Sequence, residues 1–225
     1  MAEGEGGPLR RVRGRTLTLV LHDWELSADA YRARLLLGLL GLDYAKVPVD
    51  VIPGGETESP AFRKISPSGT LPVLVDGDVV LSEIAAILVH LAETRDVACT
   101  WLPCDRARRA ACLQWLAFAL GPLRASDAAR DTAMFEHGGP WREPEVMAHR
   151  ALRVLEGRLI RQALQGEPFL VEGGPTLADV AAFPAVALAV DWGETLTAFP
   201  KARLWTRTVR ALPGFVTTPG VPEFL

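Results

Sequence analysis

Ser27 stands between an apolar, β-branched run and a helix-forming run, in the segment Leu21-His22-Asp23-Trp24-Glu25-Leu26-Ser27. A hydroxyl there can donate to an anion, and the dipole of the following helix acts on the same charge, most strongly within its first turn. The same place also suits a plain N-cap, whose side-chain oxygen accepts a backbone N–H. Trp24 either lines such a site or packs against a second layer, and Glu83, opening a later apolar run, offers a carboxylate to a cation. Metal chemistry is not expected. The histidines (His22, His90, His137, His149) and cysteines (Cys99, Cys104, Cys112) show no ligand spacing.

Cys104 and Cys112 read as sharing a helix, where a rise of about 1.5 Å per residue sets them about 12 Å apart, too far to bridge. That reading predicts reduced cysteines acting as small core residues, and a cytoplasmic setting.

The elements that must position these residues follow from periodicity and punctuation. Thr16 to Leu21 reads as a strand, Ala28 to Leu40 as a helix closed by Gly41, and Tyr44 to Val51 as a strand parallel to the first, because a whole helix separates them. A helical turn from Pro60 to Ile65 precedes Ser66 to Pro72, which is too rich in Pro and Gly for either regular element. Val73 to Val75 and Val79 to Leu81, joined by Asp76-Gly77-Asp78, predict a hairpin, and Glu83 to Ala92 a helix. The order is βαβαββα.

From Asp105 the pattern is helical, with helices expected near 105–120, 126–135, 145–165, 177–191 and 200–211. Thr176 with Asp179 forms a capping box, which makes Asp179 a structural cap, and Pro200 suits a first helical turn. Asp96 to Pro103 reads as the linker between a first domain over 16–95 and a helical one over 103–225. Residues 1–15 read as a mobile leader.

At 225 residues, 49% of them hydrophobic and 23% charged, the chain can bury a core in two small domains. A net charge of −3 gives no positive field for nucleic acid. The longest apolar stretch, Val180 to Val190, contains Pro184 and falls well short of the roughly 18 residues of a membrane span.

The motifs are specific in combination. Ser66-Pro67-Ser68-Gly69-Thr70-Leu71-Pro72-Val73-Leu74 resembles the N-P-x-G-x-V-P-x-L segment of the cytosolic glutathione transferases. Leu81-Ser82-Glu83-Ile84-Ala85-Ala86-Ile87 resembles their L-x-E-S-x-A-I helix start, and Leu177-Ala178-Asp179-Val180 and Trp205 to Pro213 resemble patterns of their helical half. The opening around Ser27 is similar to bacterial members with a serine at the catalytic position.

That resemblance implies a thioredoxin-like domain followed by a helical bundle, with Ser27 stabilising the thiolate of glutathione for attack on a small hydrophobic electrophile or a peroxide. Only the anion of a thiol is a good nucleophile, and each unit of pKa depression needs about 1.4 kcal/mol of selective stabilisation. A serine cannot form the mixed disulfide of cysteine-type members, so conjugation or peroxide reduction is expected over thiol transfer. The resemblance also assigns Leu71, before the cis-type Pro72, to strand-like pairing with the cysteinyl backbone, and Glu83 to the γ-glutamyl amine.

Ile84 departs from the pattern, because the family places Ser or Thr there to hold the γ-glutamyl carboxylate and only the backbone amide survives. One lost hydroxyl donor to a charge, about 1.5 to 3 kcal/mol, weakens binding roughly tenfold to a hundredfold. Ile84 thus supports an alternative, a non-catalytic interaction module with the same fold, and isomerisation or dehalogenation would share the site. The family pattern further implies a detoxifying homodimer. It places the co-substrate against Trp24, Trp115 and Phe118.

Overall fold

The structure, a computed structural model, describes residues 11–12, 15–16, 19–135 and 143–222. Of the expected leader, residues 1–10 and 13–14 lie outside the described ones, as does His137. β1 (Arg11–Val12) and β2 (Arg15–Thr16) pair antiparallel, with Arg11 opposite Thr16. The two-residue spacing between them is one that hairpins favour.

β3 (Leu19–Asp23) is the centre of the first half. It alternates buried and half-buried residues and runs parallel to β4 (Ala45–Pro48), with Val20 opposite Ala45. On its other side β5 (Val73–Asp76) pairs antiparallel, with Leu21 opposite Leu74, and β6 (Val79–Leu81) closes the sheet in the order β4-β3-β5-β6. The parallel pair is the one that requires a crossover, and α1 (Ala28–Leu39) supplies it.

α1 packs on α2 (Ile84–Arg95) and on α6 (Leu177–Ala187) of the second half. From β3 onward the order is βαβ, then two 3-10 turns (Glu56–Glu58 and Phe62–Lys64) in place of the second helix, then ββα, and the helices that follow complete the expected thioredoxin-like domain with a helical bundle. The bundle comprises α3 (Arg106–Ala119), α4 (Arg124–Phe135), α5 (Pro144–Leu164), α6 and α7 (Pro200–Arg210). Every residue of α6 is buried, and one apolar core runs from Leu21 and Leu36 through Leu88 to Phe183 and Trp205. None of the described helices is long and apolar enough to cross a membrane.

Asp179 is the cap the sequence suggested. Its carboxylate accepts from the Thr176 amide at 3.0 Å, from the Leu170 amide at 3.0 Å and from the Trp205 indole at 2.9 Å, all buried. The helix expected over 177–191 ends earlier, at Ala187, and passes into a 3-10 turn, Ala189–Trp192, that stops at Gly193 with φ 91°. A left-handed glycine ends helical chain without a Cβ penalty.

The cysteine reading is corrected. Asp105 caps α3 by accepting the Arg108 amide at 2.8 Å, so the helix begins after Cys104 and leaves that residue in the linker. Cys104 is bonded to Cys99, with Cα atoms 5.7 Å apart, and neither is a core residue. Cys112 alone is free, and it is buried. Between the bridged residues, Trp101 and Leu102 enter the core, and the Trp101 carbonyl accepts the amide of Leu177 at 2.8 Å.

Candidate active site

Ser27 is the N-cap of α1, with φ −71° and ψ 123°. Its amide donates to the Trp24 carbonyl at 3.0 Å, which closes the turn from β3, and its side-chain oxygen accepts the Ala30 amide at 3.1 Å. The cap uses the oxygen as an acceptor and leaves the hydroxyl proton available. The two readings of Ser27 are therefore compatible, because the oxygen can cap the helix and still carry a proton to donate.

Beside it is a cleft of about 170 Å³, lined by Ser27, Trp24, Leu71 and Gly69 from the first half and by Arg124, Asp127 and Asp131 of α4. That volume is below the roughly 300 to 1,000 Å³ of pockets that enclose a whole ligand. It suits a reacting atom and a small partner.

Leu71 sits one residue before Pro72, outside the ladder whose last pair is His22 with Val73, and the Leu71–Pro72 peptide is cis. The loop behind it is pinned by buried Ser66, whose hydroxyl accepts the Thr70 amide at 3.0 Å and donates to the Thr70 carbonyl at 2.9 Å. Gly69 has φ 69°, and a Cβ there would stand 3.1 Å from the Thr57 carbonyl oxygen, so glycine is required. Leu71 packs with Val49, Phe62 and Val73, and Trp24 and Val51 cover this small apolar cluster.

Glu83 and Ile84 lie beside the cleft and do not line it. Glu83 is exposed at the head of α2, and its carboxylate accepts the Ser68 hydroxyl at 3.2 Å. Ile84, 6% exposed, drives its side chain into the main core, so only its backbone can face a ligand. The first amide to bond back into α2 is that of Ile87, to the Glu83 carbonyl, so the amides ahead of it form an uncapped helix start. Such a start attracts a carboxylate.

Trp115 and Phe118 are placed elsewhere than the co-substrate expectation required. Trp115 is 8% exposed, covered by the Arg158 guanidinium 5.5 Å from its ring centre, and Phe118 meets it edge-on at 5.2 Å. The cause is that α3 turns its apolar face onto α6, leaving α4 to face Ser27. Trp24 does line the cleft and also packs against Phe135 of α4, with ring centres 5.3 Å apart.

The wall opposite Ser27 is charged, formed by Arg124, Asp127 and Asp131 and not by Trp115 and Phe118. Arg124 bonds Asp29 at 2.6 Å, and fully buried Arg32 bonds both Asp29 and Asp127 at 2.8 Å. Burial also pushes the Asp127 carboxyl pKa upward against the pull of Arg32. Asp131 is pushed up to about 6, first by loss of water around its carboxyl and then by the negative Asp127. Asp127 and Asp131 were missed from sequence. Their spacing of four marks one helical face, yet nothing local says that this face meets Ser27.

Comparison with known proteins agrees with this fold. Family models described as the N-terminal and C-terminal domains of glutathione S-transferase match residues 26–94 and 145–208. A maleylacetoacetate isomerase of Pseudomonas aeruginosa is 30% identical over 200 residues, 87% of this chain and 92% of that protein. Against glutathione S-transferase Z1 of Arabidopsis thaliana the identity is 39% over 106 residues, which spans 47% of each chain. The crystal structure of a glutathione S-transferase from Pseudomonas fluorescens superposes with a TM-score of 0.79 at 29% identity, covering 89% of this chain and 98% of that one.

Proposed function

The chain belongs to the glutathione S-transferase family, and from that premise we propose that it binds glutathione along the groove between Ser27 and α2 and activates its thiol with the Ser27 hydroxyl. The observation that carries this reading is the place of Ser27: it lines the cleft at the N-terminus of α1, and its oxygen accepts the Ala30 amide, which leaves the hydroxyl proton for another acceptor. Donation from that hydroxyl and the dipole of α1 both favour the thiolate.

The remaining contacts follow the groove. The Leu71 backbone, outside the sheet ladder, pairs with the cysteinyl unit, and the uncapped start of α2 receives the γ-glutamyl carboxylate. Glu83 takes the γ-glutamyl amine. The co-substrate lies between apolar Trp24, Val51 and Leu71 and the charged wall of Arg124 and Asp131. A peroxide, or a small electrophile with one apolar flank and one polar end, suits that pairing.

Isomerisation is a second reading with its own support, the similarity to a maleylacetoacetate isomerase over 92% of that protein. There the thiolate would add to an activated double bond and leave again after rotation, so it is regenerated. We further propose a homodimer; the cytoplasmic setting expected from reduced cysteines loses that support with the Cys99–Cys104 bond.

The test is calorimetric binding of glutathione, followed by turnover of chlorodinitrobenzene, cumene hydroperoxide and a cis-dienoic diacid by wild type and Ser27→Ala. Turnover that falls at least about tenfold in the variant is expected, since one donor to a developing charge is worth that much. Binding no tighter than millimolar, with Ser27→Ala indistinguishable from wild type, would leave the non-catalytic module as the reading.

A further inference from the structure

The turn that carries Ser27 belongs to the first half of the chain, yet α4 of the second half holds it at residues on both sides of that serine. On one side, Arg130 is 2% exposed; its Nη1 donates to the Leu26 carbonyl at 2.6 Å, while its Nε donates to Asp191 at 2.6 Å. On the other side, Arg124 donates to Asp29 at 2.6 Å, and Arg32 ties that carboxylate to Asp127 of α4. Leu26 and Asp29 bracket Ser27 within a single turn.

We propose that Arg130, together with Arg124, is a positioning residue that sets the direction of the Ser27 hydroxyl. The inference rests on the role proposed above for Ser27. Ser27 is tied within its own turn, by its amide to Trp24 and by its hydroxyl oxygen to Ala30, and bonds of that local kind let the turn move as a unit. Holding Leu26 and Asp29 fixes the backbone entering and leaving the serine, and with it the line along which the hydroxyl proton points. Arg130 suits the task because a planar guanidinium can bind an anchor and a target at once. Asp191 is the anchor and the Leu26 carbonyl the target.

The test compares wild type, Ser27→Ala, Arg130→Gln, Arg130→Lys and Arg124→Gln. Two readouts are taken: the ultraviolet absorbance of bound glutathione thiolate as a function of pH, and kcat and KM with chlorodinitrobenzene. Arg130→Gln is expected to raise the pH of thiolate formation and lower kcat about tenfold to a hundredfold, the usual cost of small misplacement at a reacting group. The KM for glutathione should change little, and Arg130→Lys should fall between, because an ammonium keeps the charge beside Asp191 but cannot fork to Leu26.

A purely structural role would lower the melting temperature and leave the thiolate profile of the folded fraction where it was, and that result overturns the proposal. Should Arg130→Gln not fold, Arg130→Lys and the more exposed Arg124→Gln decide it: unmoved thiolate profiles in both overturn it. A wild-type profile equal to that of free glutathione defeats the proposed function itself and this inference with it, and it is recognised without any variant.

Discussion

The Ala30 amide donates to the Ser27 oxygen over 3.1 Å, so a single hydroxyl caps α1 and lines the cleft with a proton still to donate. Removing it should have two separable effects. Ser27→Ala is expected to cost about 1 kcal/mol in urea unfolding from the lost cap, besides the loss of turnover. Ser27→Thr should keep the cap and part of the activity. Ser27→Cys should gain exchange with small disulfides, measured with hydroxyethyl disulfide, because a thiolate at a helix N-terminus can form the mixed disulfide that a hydroxyl cannot.

Ile84→Thr tests the missing hydroxyl. Its side chain lies in the core at 6% exposure, so the change should cost about 2 to 4 kcal/mol of stability. Glutathione affinity, measured by calorimetry on the folded variant, should change little, because the side chain at this position faces the core and leaves only the α2 amides to the ligand. Equal affinity would mean that those amides already hold the carboxylate unaided.

Asp131 should make both stability and activity respond to pH. Its carboxyl pKa rises on folding to about 6, so its contribution to stability is present below about 4 and is lost as pH rises through 6. Asp131→Asn should therefore melt higher than wild type above pH 7, with the gap shrinking toward pH 4. The variant also removes a negative charge from the cleft, so the acid limb of its activity profile should shift to lower pH.

Thiol counting tests the linker. Denatured, unreduced protein should show one reactive thiol, Cys112, and three after reduction. The native protein should show almost none, because burial raises the Cys112 thiol pKa and hides the sulfur. Three thiols without reduction would mean that Cys99 and Cys104 are not joined.

Much of this architecture was legible because its signals are local. Gly41, the Asp76-Gly77-Asp78 turn and the Thr176–Asp179 box punctuate the elements, and the bounds of α1 and of the hairpin strands fell within a residue of expectation. Ser27, Leu71 and Glu83 sit on turns between elements, where side-chain direction depends on few neighbours. The opposite wall was not legible, since the choice between α3 and α4 as the helix facing Ser27 is made by packing against α6, far off in sequence. The disulfide escaped because α3 starts at Arg106, two residues after Cys104, and that small offset decides whether the cysteine is helical.

Cys99 and Cys104 bracket most of the passage between the two halves. A peptide bond cut anywhere between them would leave the fragments covalently tied, so a nicked chain keeps the mass and migration of the intact one until a reductant separates it into two pieces.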